Sequence, residues 1–251
     1  MSKLLGADVA VVTGAAQGNG RAIAMGLAQH GAKVALGDIN ADGAEAVAAD
    51  IRRTGGTAFA MSVDVGDRDQ CLRFASEVEA RLGAISILVN NAGIIRRVPF
   101  DDDGYDRDWD DTFRVNITGM KNMTRAALPQ LRRTKGRIVN LASIMSFVAG
   151  PRSSSYAASK GAVRQFTQAL AAELAVDGIR VNAIAPGVIA TPMTEVTRAD
   201  AATLARFMAH TPLGRVGEPE ELVGPVVFLA SSMSSYVTGA VLPVDGGYLA
   251  V

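Results

Sequence analysis

The sequence predicts an α/β fold in which a mostly parallel sheet is covered by helices on both faces. Short runs rich in Val and Ile alternate with longer segments of helical periodicity, and glycine often stands where a helical segment should end. Strand–helix–strand units of this kind join parallel strands by right-handed crossovers. No linker or low-complexity tract interrupts the alternation, so we expect one domain over residues 1–251.

The first half of the chain is expected to hold strands separated by helices of two to four turns. The predicted strands are Val9–Val12, Lys33–Asp38, Thr57–Val63 and Ile85–Val89. The predicted helices run from Gly18 to a stop at Gly31, over Ala41–Thr54 and over Arg68–Leu82. The stretch Ile85–Val89 is almost wholly apolar, which is typical of a strand buried on both faces.

The second half is expected to continue the same alternation. The predicted strands are Arg137–Ala142, Ile179–Ala185 and Ala240–Val244, and the predicted helices are Tyr105–Arg132, Ser154–Val176 and Pro219–Ala230. Residues 188–213, with a helical stretch at Ala199–Ala209, are interpreted as a small lid over the substrate. The whole pattern predicts a Rossmann-type, doubly wound sheet of about seven strands.

The composition favours a small-molecule partner. The 25 basic and 25 acidic side chains leave no net charge to attract nucleic acid or an anionic membrane. No apolar run is long enough to span a bilayer and the N-terminus lacks a signal-peptide core, so a cytoplasmic protein is expected. Cys71 is the only cysteine, and His30 and His210 are too few for a dedicated zinc site, so we expect no metal.

A glycine-rich loop, Thr13–Gly20, lies between the first predicted strand and the first helix. Its glycines, Gly14, Gly18 and Gly20, allow a tight turn and a close approach of the backbone to a pyrophosphate. Free N–H groups at the start of the helix then face the phosphates. An ordinary turn would show similar glycines, but the position between strand and helix favours dinucleotide binding.

Asp38, at the end of the second strand, favours NAD over NADP. A carboxylate there accepts the hydroxyl groups of the adenosine ribose, whereas the 2′-phosphate of NADP meets a like charge. At about 4 Å and an effective dielectric near 20, this repulsion is on the order of 4 kcal/mol per unit charge pair. Gln17, in the glycine loop, supplies no positive charge to offset it.

Three residues of the second half suggest a catalytic site. Tyr156 and Lys160 are four positions apart on a predicted helix and share one face, although such pairs often mark only a solvated surface. Ser143 follows the carboxyl end of a strand, where open α/β sheets bind ligands. Neither signal is decisive alone.

These motifs together resemble the short-chain dehydrogenase/reductase family over almost the whole chain. The matching features, in chain order, are the glycine loop, Asn90-Asn91-Ala92-Gly93, Trp109, Asn116, Ser143, Tyr156, Lys160, Pro186-Gly187 and Asp245-Gly246-Gly247. Asn19 is the clearest departure, because the family usually carries an aliphatic residue there.

The resemblance implies an oxidoreductase that moves a hydride between nicotinamide and a secondary alcohol or its ketone. Tyr156 is then the general acid or base. Lys160 binds the nicotinamide ribose and, with the positive nicotinamide, lowers the tyrosine pKa from its ordinary value of about 10. Ser143 holds the substrate oxygen, and Asn116 anchors a water chain that carries the proton to solvent.

The resemblance also implies which residues bind NAD. Asp64 and Val65 frame the adenine, and the Asn90 backbone lies against the adenosine ribose. Ile189 and Thr191 hold the nicotinamide carboxamide. The full expected set is Gly14, Gln17, Gly18, Asn19, Gly20, Asp38, Ile39, Asp64, Val65, Asn90, Ala92, Gly93, Tyr156, Lys160, Pro186, Gly187, Ile189 and Thr191.

Three arginines are candidate substrate residues. Arg96 and Arg97 follow the fourth-strand motif, and Arg152 lies four residues before Tyr156. Arginine binds a carboxylate through paired hydrogen bonds, but these three could equally balance surface acids. The segment Asn91–Arg97 closely resembles that of 2-deoxy-D-gluconate 3-dehydrogenases, which favours a sugar acid, sugar or polyol as the substrate.

Two alternatives stay open. A 3-oxoacyl-carrier-protein reductase would prefer cationic residues near Gln17 and Asp38 for NADPH, and a non-catalytic nucleotide-binding protein would not need the complete set of proton-relay residues. The family resemblance further implies a homotetramer, in which the two long helices, Tyr105–Arg132 and Ser154–Val176, pack between subunits.

Overall fold

The computed structural model describes residues 3–6 and 8–251, and its centre is a sheet of seven parallel strands in the order β3-β2-β1-β4-β5-β6-β7. The strands are β1 Val9–Thr13, β2 Lys33–Asp38, β3 Ala58–Ser62, β4 Ile87–Asn90, β5 Arg137–Leu141, β6 Arg180–Pro186 and β7 Val241–Val244. Each lies where the sequence predicts a strand. Because the strand order reverses between β1 and β4, their carboxyl ends frame a crevice suited to a ligand.

Helices cover both faces of the sheet. They are α1 Gly18–Gln29, α2 Ala41–Arg53, α3 Arg68–Leu82, α4 Tyr105–Phe113, α5 Met120–Thr134, α6 Ser154–Leu174, α7 Glu195–Ala199, α8 Ala201–Ala209 and α9 Val223–Ala230. Helices α1, α2 and α9 pack on one face, where Val12 of β1 is buried. Helices α3, α5 and α6 pack on the other face with Val11, so alternate strand residues serve two cores. The predicted doubly wound fold is confirmed.

The start of α1 differs from the starts of its neighbours. Asn40 caps α2 by accepting a hydrogen bond from the Gly43 amide at 3.0 Å, and Asp67 caps α3 through the Asp69 amide at 2.8 Å. Among the described residues, no side chain caps α1, whose N-cap is Gln17. The amides of its first turn are therefore free to bind a ligand.

The helix predicted over Tyr105–Arg132 is interrupted. A π-helical turn, Arg114–Gly119, joins α4 to α5, and α5 continues to Thr134. The turn holds Asn116, whose Oδ1 accepts from the Ile94 amide at 2.8 Å and whose Nδ2 donates to the Ile94 carbonyl at 3.1 Å. These contacts tie the helix to the loop after β4, and single π turns of this kind are common at functional sites.

The lid segment, 188–213, contains two helices rather than the one predicted. Helix α8 begins at Ala201 because Asp200 caps it, accepting from the Ala202 amide at 3.1 Å, and the short α7 precedes it. The Phe207 ring packs 5.8 Å from the Tyr248 ring, which joins the lid to the C-terminal segment. Within the described part of the chain, no helix is both long and apolar enough to cross a bilayer.

Candidate active site

The glycine loop lines a cavity of about 460 Å³ at the carboxyl ends of β1 and β4. A Cβ atom on Gly20 would lie 2.0 Å from the Gly14 carbonyl oxygen and 2.5 Å from Asn91 Nδ2. Asn91 in turn donates to the carbonyls of Thr13 at 2.8 Å and Gly14 at 2.9 Å. Helix α1 can therefore approach the strand ends only with glycine at position 20, and Asn91 holds the loop in place.

Most of the residues expected to bind the dinucleotide line this cavity. They are Gly14, Gln17, Gly18, Asn19, Gly20, Asp38, Ile39, Asp64, Val65, Ala92, Gly93 and Thr191. Asp38 is held by two backbone amides: Oδ2 accepts from Ala16 at 2.9 Å and Oδ1 from Asn40 at 2.9 Å. The carboxylate is thus fixed at the rim of the cavity.

The cationic side chains among the described residues that line this cavity are Arg96 and Arg114. Each is paired with a carboxylate. Arg114 Nη1 lies 2.8 and 3.1 Å from the two carboxylate oxygens of Asp64, and Arg96 Nη1 lies 2.6 Å from Asp111 Oδ2. Asp64 therefore has a structural partner as well as a position beside the expected adenine.

Asn90 takes a different place from the rest of the expected set. It is buried, and its Nδ2 donates to Asn140 Oδ1 at 2.8 Å and to Thr124 Oγ1 at 3.1 Å. Within the described chain, the residues lining the cavity begin at Asn91 in this motif. The expected cofactor-binding set did not include Asn91. The pair Asn90-Asn91 at the end of a strand was the signal that could have identified it.

Three of the four predicted catalytic residues, Ser143, Tyr156 and Lys160, line a second cavity of about 80 Å³, whereas Asn116 lies outside its lining. Its lining includes Ser143, Tyr156, Lys160, Pro186, Gly187, Ile189 and Thr191. Both cavities share the same boundary residues, which are Asn19, Asn91, Gly93, Thr191 and Met193. One cleft therefore runs from Asp38 to Tyr156, and Thr191 and Met193 of the lid segment lie where its two parts meet.

Burial dominates the electrostatics of Tyr156. It raises the pKa of the phenol, while a hydrogen bond with Ser143 and the positive charge of Arg97 lower it to a smaller extent. In the protein alone the net direction of the pKa is therefore upward, and the expected lowering, which includes the charge of a bound nicotinamide, stays a prediction. Ser143 Oγ also accepts from the Met145 amide at 3.1 Å, which fixes its position at the end of β5.

Lys160 lies between the Tyr156 ring and the end of β5. Its Nζ donates to the Leu141 carbonyl at 2.6 Å and lies 5.7 Å from the centre of the Tyr156 ring. Burial lowers the pKa of this lysine to about 8. Ser146, which sequence reasoning missed, donates to the Lys160 carbonyl at 2.7 Å and so links the serine loop to α6.

Asn116 is connected to the backbone of Tyr156 through Ser159. Its Nδ2 donates to Ser159 Oγ at 2.9 Å, and Ser159 Oγ donates to the Tyr156 carbonyl at 2.8 Å. A Cβ on Gly93 would lie 3.2 Å from Asn116 Oδ1 and 3.6 Å from Lys160 Nζ. The π turn, the loop after β4 and α6 thus converge behind the catalytic cavity.

The three candidate substrate arginines have different surroundings. Arg97 donates to Thr197 Oγ1 of α7, and its charge acts on Tyr156. Arg96 is paired with Asp111, and Arg152 is exposed on the turn before α6 with a φ of 56°. The loop after β4 therefore brings Arg97 towards both the lid and the catalytic tyrosine.

The cleft fits a nicotinamide dinucleotide. The glycines leave space that a Cβ at position 20 would fill, and a fixed carboxylate, Asp38, lies at one end. At the junction of the two cavities, within the described residues, the buried Oδ1 of Asn19 has no hydrogen-bond partner. A buried acceptor of this kind is normally satisfied, and a ligand in the cleft can satisfy it.

Comparisons with known proteins agree with this geometry. A family model described as Enoyl-(Acyl carrier protein) reductase matches residues 14–249. A 2-dehydro-3-deoxy-D-gluconate 5-dehydrogenase of Pseudoalteromonas atlantica is 43% identical over 187 residues, which are 74% of this chain and 73% of that protein. A 3-oxoacyl-[acyl-carrier-protein] reductase of Thermotoga maritima is 42% identical over 191 residues, 74% of each chain.

A crystal structure from Beutenbergia cavernae, described as an NAD(P) dependent gluconate 5-dehydrogenase with NADP at low occupancy, covers 100% of both chains. Its TM-score is 0.94 and its sequence identity is 43%. Fold, cleft and relatives therefore lead to one conclusion: the chain belongs to the short-chain dehydrogenase/reductase family of oxidoreductases, which act on CH–OH groups with a nicotinamide cofactor.

Proposed function

We propose that this protein is an NAD-dependent dehydrogenase that interconverts a secondary alcohol and a ketone on a sugar acid, sugar or polyol. One observation carries the proposal: Ser143, Tyr156 and Lys160 line a cavity that continues into the glycine-lined cleft. A hydroxyl carbon in the smaller cavity is then next to the nicotinamide end of a dinucleotide. When bound, NAD supplies the hydride acceptor and a positive charge.

The protein's own residues handle the proton and the substrate oxygen. In oxidation, Tyr156 Oη takes the proton of the substrate hydroxyl, and in reduction it returns that proton to the carbonyl oxygen. Ser143 Oγ donates a hydrogen bond to the same oxygen. Lys160 binds the nicotinamide ribose, and Asn116 positions α6 through Ser159. We propose that solvent exchange of the proton runs past Asn116.

The cofactor is proposed to be NAD. Both oxygens of Asp38 are held by backbone amides, so the carboxylate meets a 2′-phosphate as a fixed negative charge. Its neighbour Ile39 is 72% exposed and brings no positive charge. Because a relative binds NADP, the choice needs a direct test: kcat/KM for NAD should exceed that for NADP at least about tenfold. Equal values, or a preference for NADP, would overturn this assignment.

Arg97 favours a carboxylate-bearing substrate. It extends from the loop after β4 to the lid, and its charge already acts on the Tyr156 phenol. A sugar acid whose hydroxyl lies at Tyr156 could place its carboxylate near this guanidinium. Arg96 and Arg152 are proposed as weaker contributors, because Arg96 is engaged by Asp111 and Arg152 lies on an exposed turn.

Initial rates of NADH formation test the substrate class. D-gluconate and D-glucitol form a matched pair, since they differ in the presence of a carboxylate. We expect the acid to be preferred and Arg97→Ala to reduce that preference. Faster turnover of the neutral polyol would instead make this a sugar-alcohol dehydrogenase and return the arginines to a surface role.

The alternative function is that of a 3-oxoacyl-carrier-protein reductase, which the Thermotoga maritima relative represents. Asp38 and Gln17 argue against the NADPH that this alternative would prefer. The same assay can include an acetoacetyl thioester with NADPH. Faster reduction of the thioester than any sugar-acid reaction would favour the alternative.

A homotetramer is proposed from the family resemblance, and exposed aromatic side chains on α4 and just before it offer a surface for subunit contact. Phe100 is 78% exposed, and Trp109, stacked 4.5 Å from Phe113, is 36% exposed. Aromatic side chains of this kind commonly lie in subunit interfaces. Light scattering should give about four times the chain mass of 26.1 kDa, and a stable monomer would contradict the proposal.

A further inference from the structure

Asn19 is polar, whereas the residue usual at its position is aliphatic. Its surroundings indicate what the amide group does. It is the second residue of α1, in the turn where no side chain of the described residues caps the helix. Its Oδ1 is buried and, among the described residues, accepts no hydrogen bond. A buried amide oxygen without a hydrogen-bond partner is destabilising, so an aliphatic residue would suit the protein alone better.

The side chain lies at the junction of the two cavities. Asn19 lines both the glycine-lined cavity and the catalytic cavity, together with Thr191 and Met193 of the lid segment. The loop beside it is closely packed, since a Cβ on Gly18 would lie 3.2 Å from Thr191 Cγ2. Asn19 therefore faces the middle of the cleft, between the ends marked by Asp38 and Tyr156.

Among the described residues, no donor reaches Asn19 Oδ1. Both hydrogens of the neighbouring Asn91 amide are used, on the Thr13 and Gly14 carbonyls, and Lys160 Nζ uses one of its three hydrogens on the Leu141 carbonyl, which leaves two for the nicotinamide ribose. A donor on a ligand in the cleft can therefore fill the place beside Asn19 Oδ1. At neutral pH a pyrophosphate offers only acceptor oxygens, so it cannot fill this role. The donors of a nicotinamide dinucleotide beyond its pyrophosphate are the ribose hydroxyls, the adenine amino group and the carboxamide NH₂ group. The adenine is expected beside Asp64 and Val65, which line only the glycine-lined cavity, whereas Asn19 also lines the catalytic cavity and so lies nearer the nicotinamide half.

We propose that the Asn19 side chain binds the nicotinamide half of the dinucleotide, with Oδ1 accepting a hydrogen bond from an O–H or N–H donor there. The inference rests on the proposed dinucleotide function and adds a specific polar contact to it. An aliphatic residue can only fill space beside the nicotinamide half, whereas an amide also selects its orientation. Asn19 is thus a positioning residue for the redox end of the cofactor.

Binding of cofactor fragments tests this directly. Asn19→Leu keeps the size of the side chain and removes its acceptor. Dissociation constants for NAD⁺, ADP-ribose and ADP would be measured by titration calorimetry on wild type and variant. We expect Asn19→Leu to weaken NAD⁺ roughly threefold to tenfold while ADP changes less than about twofold.

The fragment series also identifies the donor. If ADP-ribose weakens as much as NAD⁺, the donor is a ribose hydroxyl; if it is unchanged, the donor is the carboxamide. Gln29→Leu is the matched control, because it makes the same change from an amide to leucine at the far end of α1, where Gln29 is exposed and lies outside both cavities. Its ratio of NAD⁺ to ADP affinity should equal that of the wild type.

Two results would overturn the inference while leaving the dinucleotide function intact. One is an Asn19→Leu protein that binds NAD⁺ as tightly as wild type or more tightly. The other is an equal loss of NAD⁺ and ADP affinity, which would mean that Asn19 only shapes the glycine loop. A wild-type protein that binds neither NAD⁺ nor ADP would instead overturn the proposed function itself. Equal melting temperatures would show that the variants remain folded.

Discussion

The two ends of the cleft are formed by different parts of the chain: backbone groups at strand ends form one, and side chains on loops form the other. At the dinucleotide end, backbone amides hold Asp38, and glycine at position 20 lets α1 approach the sheet. At the substrate end, Arg97 reaches the lid through Thr197, while Met193 faces the catalytic cavity and is 44% exposed. The first end, here called the rigid end, is fixed by the sheet. The second, here called the adaptable end, depends on loops and side chains.

This difference separates cofactor binding from substrate choice. A pyrophosphate site made of strand ends and a helix start tolerates few residue types, so its sequence is restricted. A substrate site made of loops can change without disturbing the sheet, which is how one fold supports many activities. Variants should therefore act strongly and generally at the first end, and selectively at the second.

Tyr156→Phe is expected to have the largest effect on turnover. Removing the group that holds the proton should lower kcat roughly 10²- to 10⁴-fold, while the affinity for NAD⁺ changes little. Tyr105→Phe is a matched control, because Tyr105 bonds to Ser154 Oγ at 2.8 Å outside the cleft. Steady-state rates and NAD⁺ titrations measure both effects. A Tyr156→Phe enzyme with more than a tenth of wild-type turnover would contradict the assigned role.

Gly20→Ala is expected to have the next largest effect, a loss of NAD⁺ affinity at the rigid end. The added methyl group would lie 2.0 Å from the Gly14 carbonyl oxygen, so the loop or α1 must move. We expect NAD⁺ affinity to fall at least about tenfold, measured by titration calorimetry. Gly161→Ala is the control: it lies within α6 with nothing within 4 Å of its added Cβ, and should stabilise the protein by about 0.5–1 kcal/mol. Unchanged NAD⁺ binding by Gly20→Ala would show that this end is less rigid than its packing indicates.

The rigid end could be predicted well from the sequence because its signals are local. The glycine spacing and the acid ending β2 each depend on residues close together in the chain. Such patterns fix strand ends and helix faces directly. They placed the seven strands, the glycine loop and Asp38, whereas Asp64, Val65 and Ala92 were expected only from the family resemblance.

Features that depend on distant contacts could not be predicted in this way. The π turn at Asn116 is tied to Ile94 and Ser159, neither of which is near it in sequence. The upward shift of the Tyr156 pKa likewise reflects burial by the whole fold. Arg96 and Arg97 are adjacent and chemically identical, and only their partners, an acid on α4 and a threonine on the lid, distinguish them.

Cofactor preference should depend on the residues at the rim of the rigid end. Replacing Asp38 by Ser and Ile39 by Arg removes the fixed carboxylate and adds a positive charge where a 2′-phosphate would lie. The ratio of kcat/KM for NADP to that for NAD should rise at least about tenfold, a change of about 1.4 kcal/mol. Asp38→Ser alone should give a smaller rise, and no rise in either variant would remove Asp38 from cofactor selection.

Arg97→Ala is expected to have the smallest effect and to act at the adaptable end. Burial raises the Tyr156 pKa and the Arg97 charge opposes that rise, so the variant should raise the pKa further. Oxidation needs the deprotonated phenol. The alkaline rise of kcat/KM should therefore shift to higher pH in Arg97→Ala, and Arg97→Lys should restore it.

A neutral polyol should be used for these pH profiles, so that loss of a carboxylate contact cannot account for the shift. With a sugar acid, the same variant should also raise KM roughly threefold to tenfold, since a hydrogen bond to a charged group is lost. Because the arginine is exposed, added salt should shrink the pH shift in proportion to screening. A profile that stays in place or moves to lower pH would show that the substrate end does not tune the catalytic tyrosine.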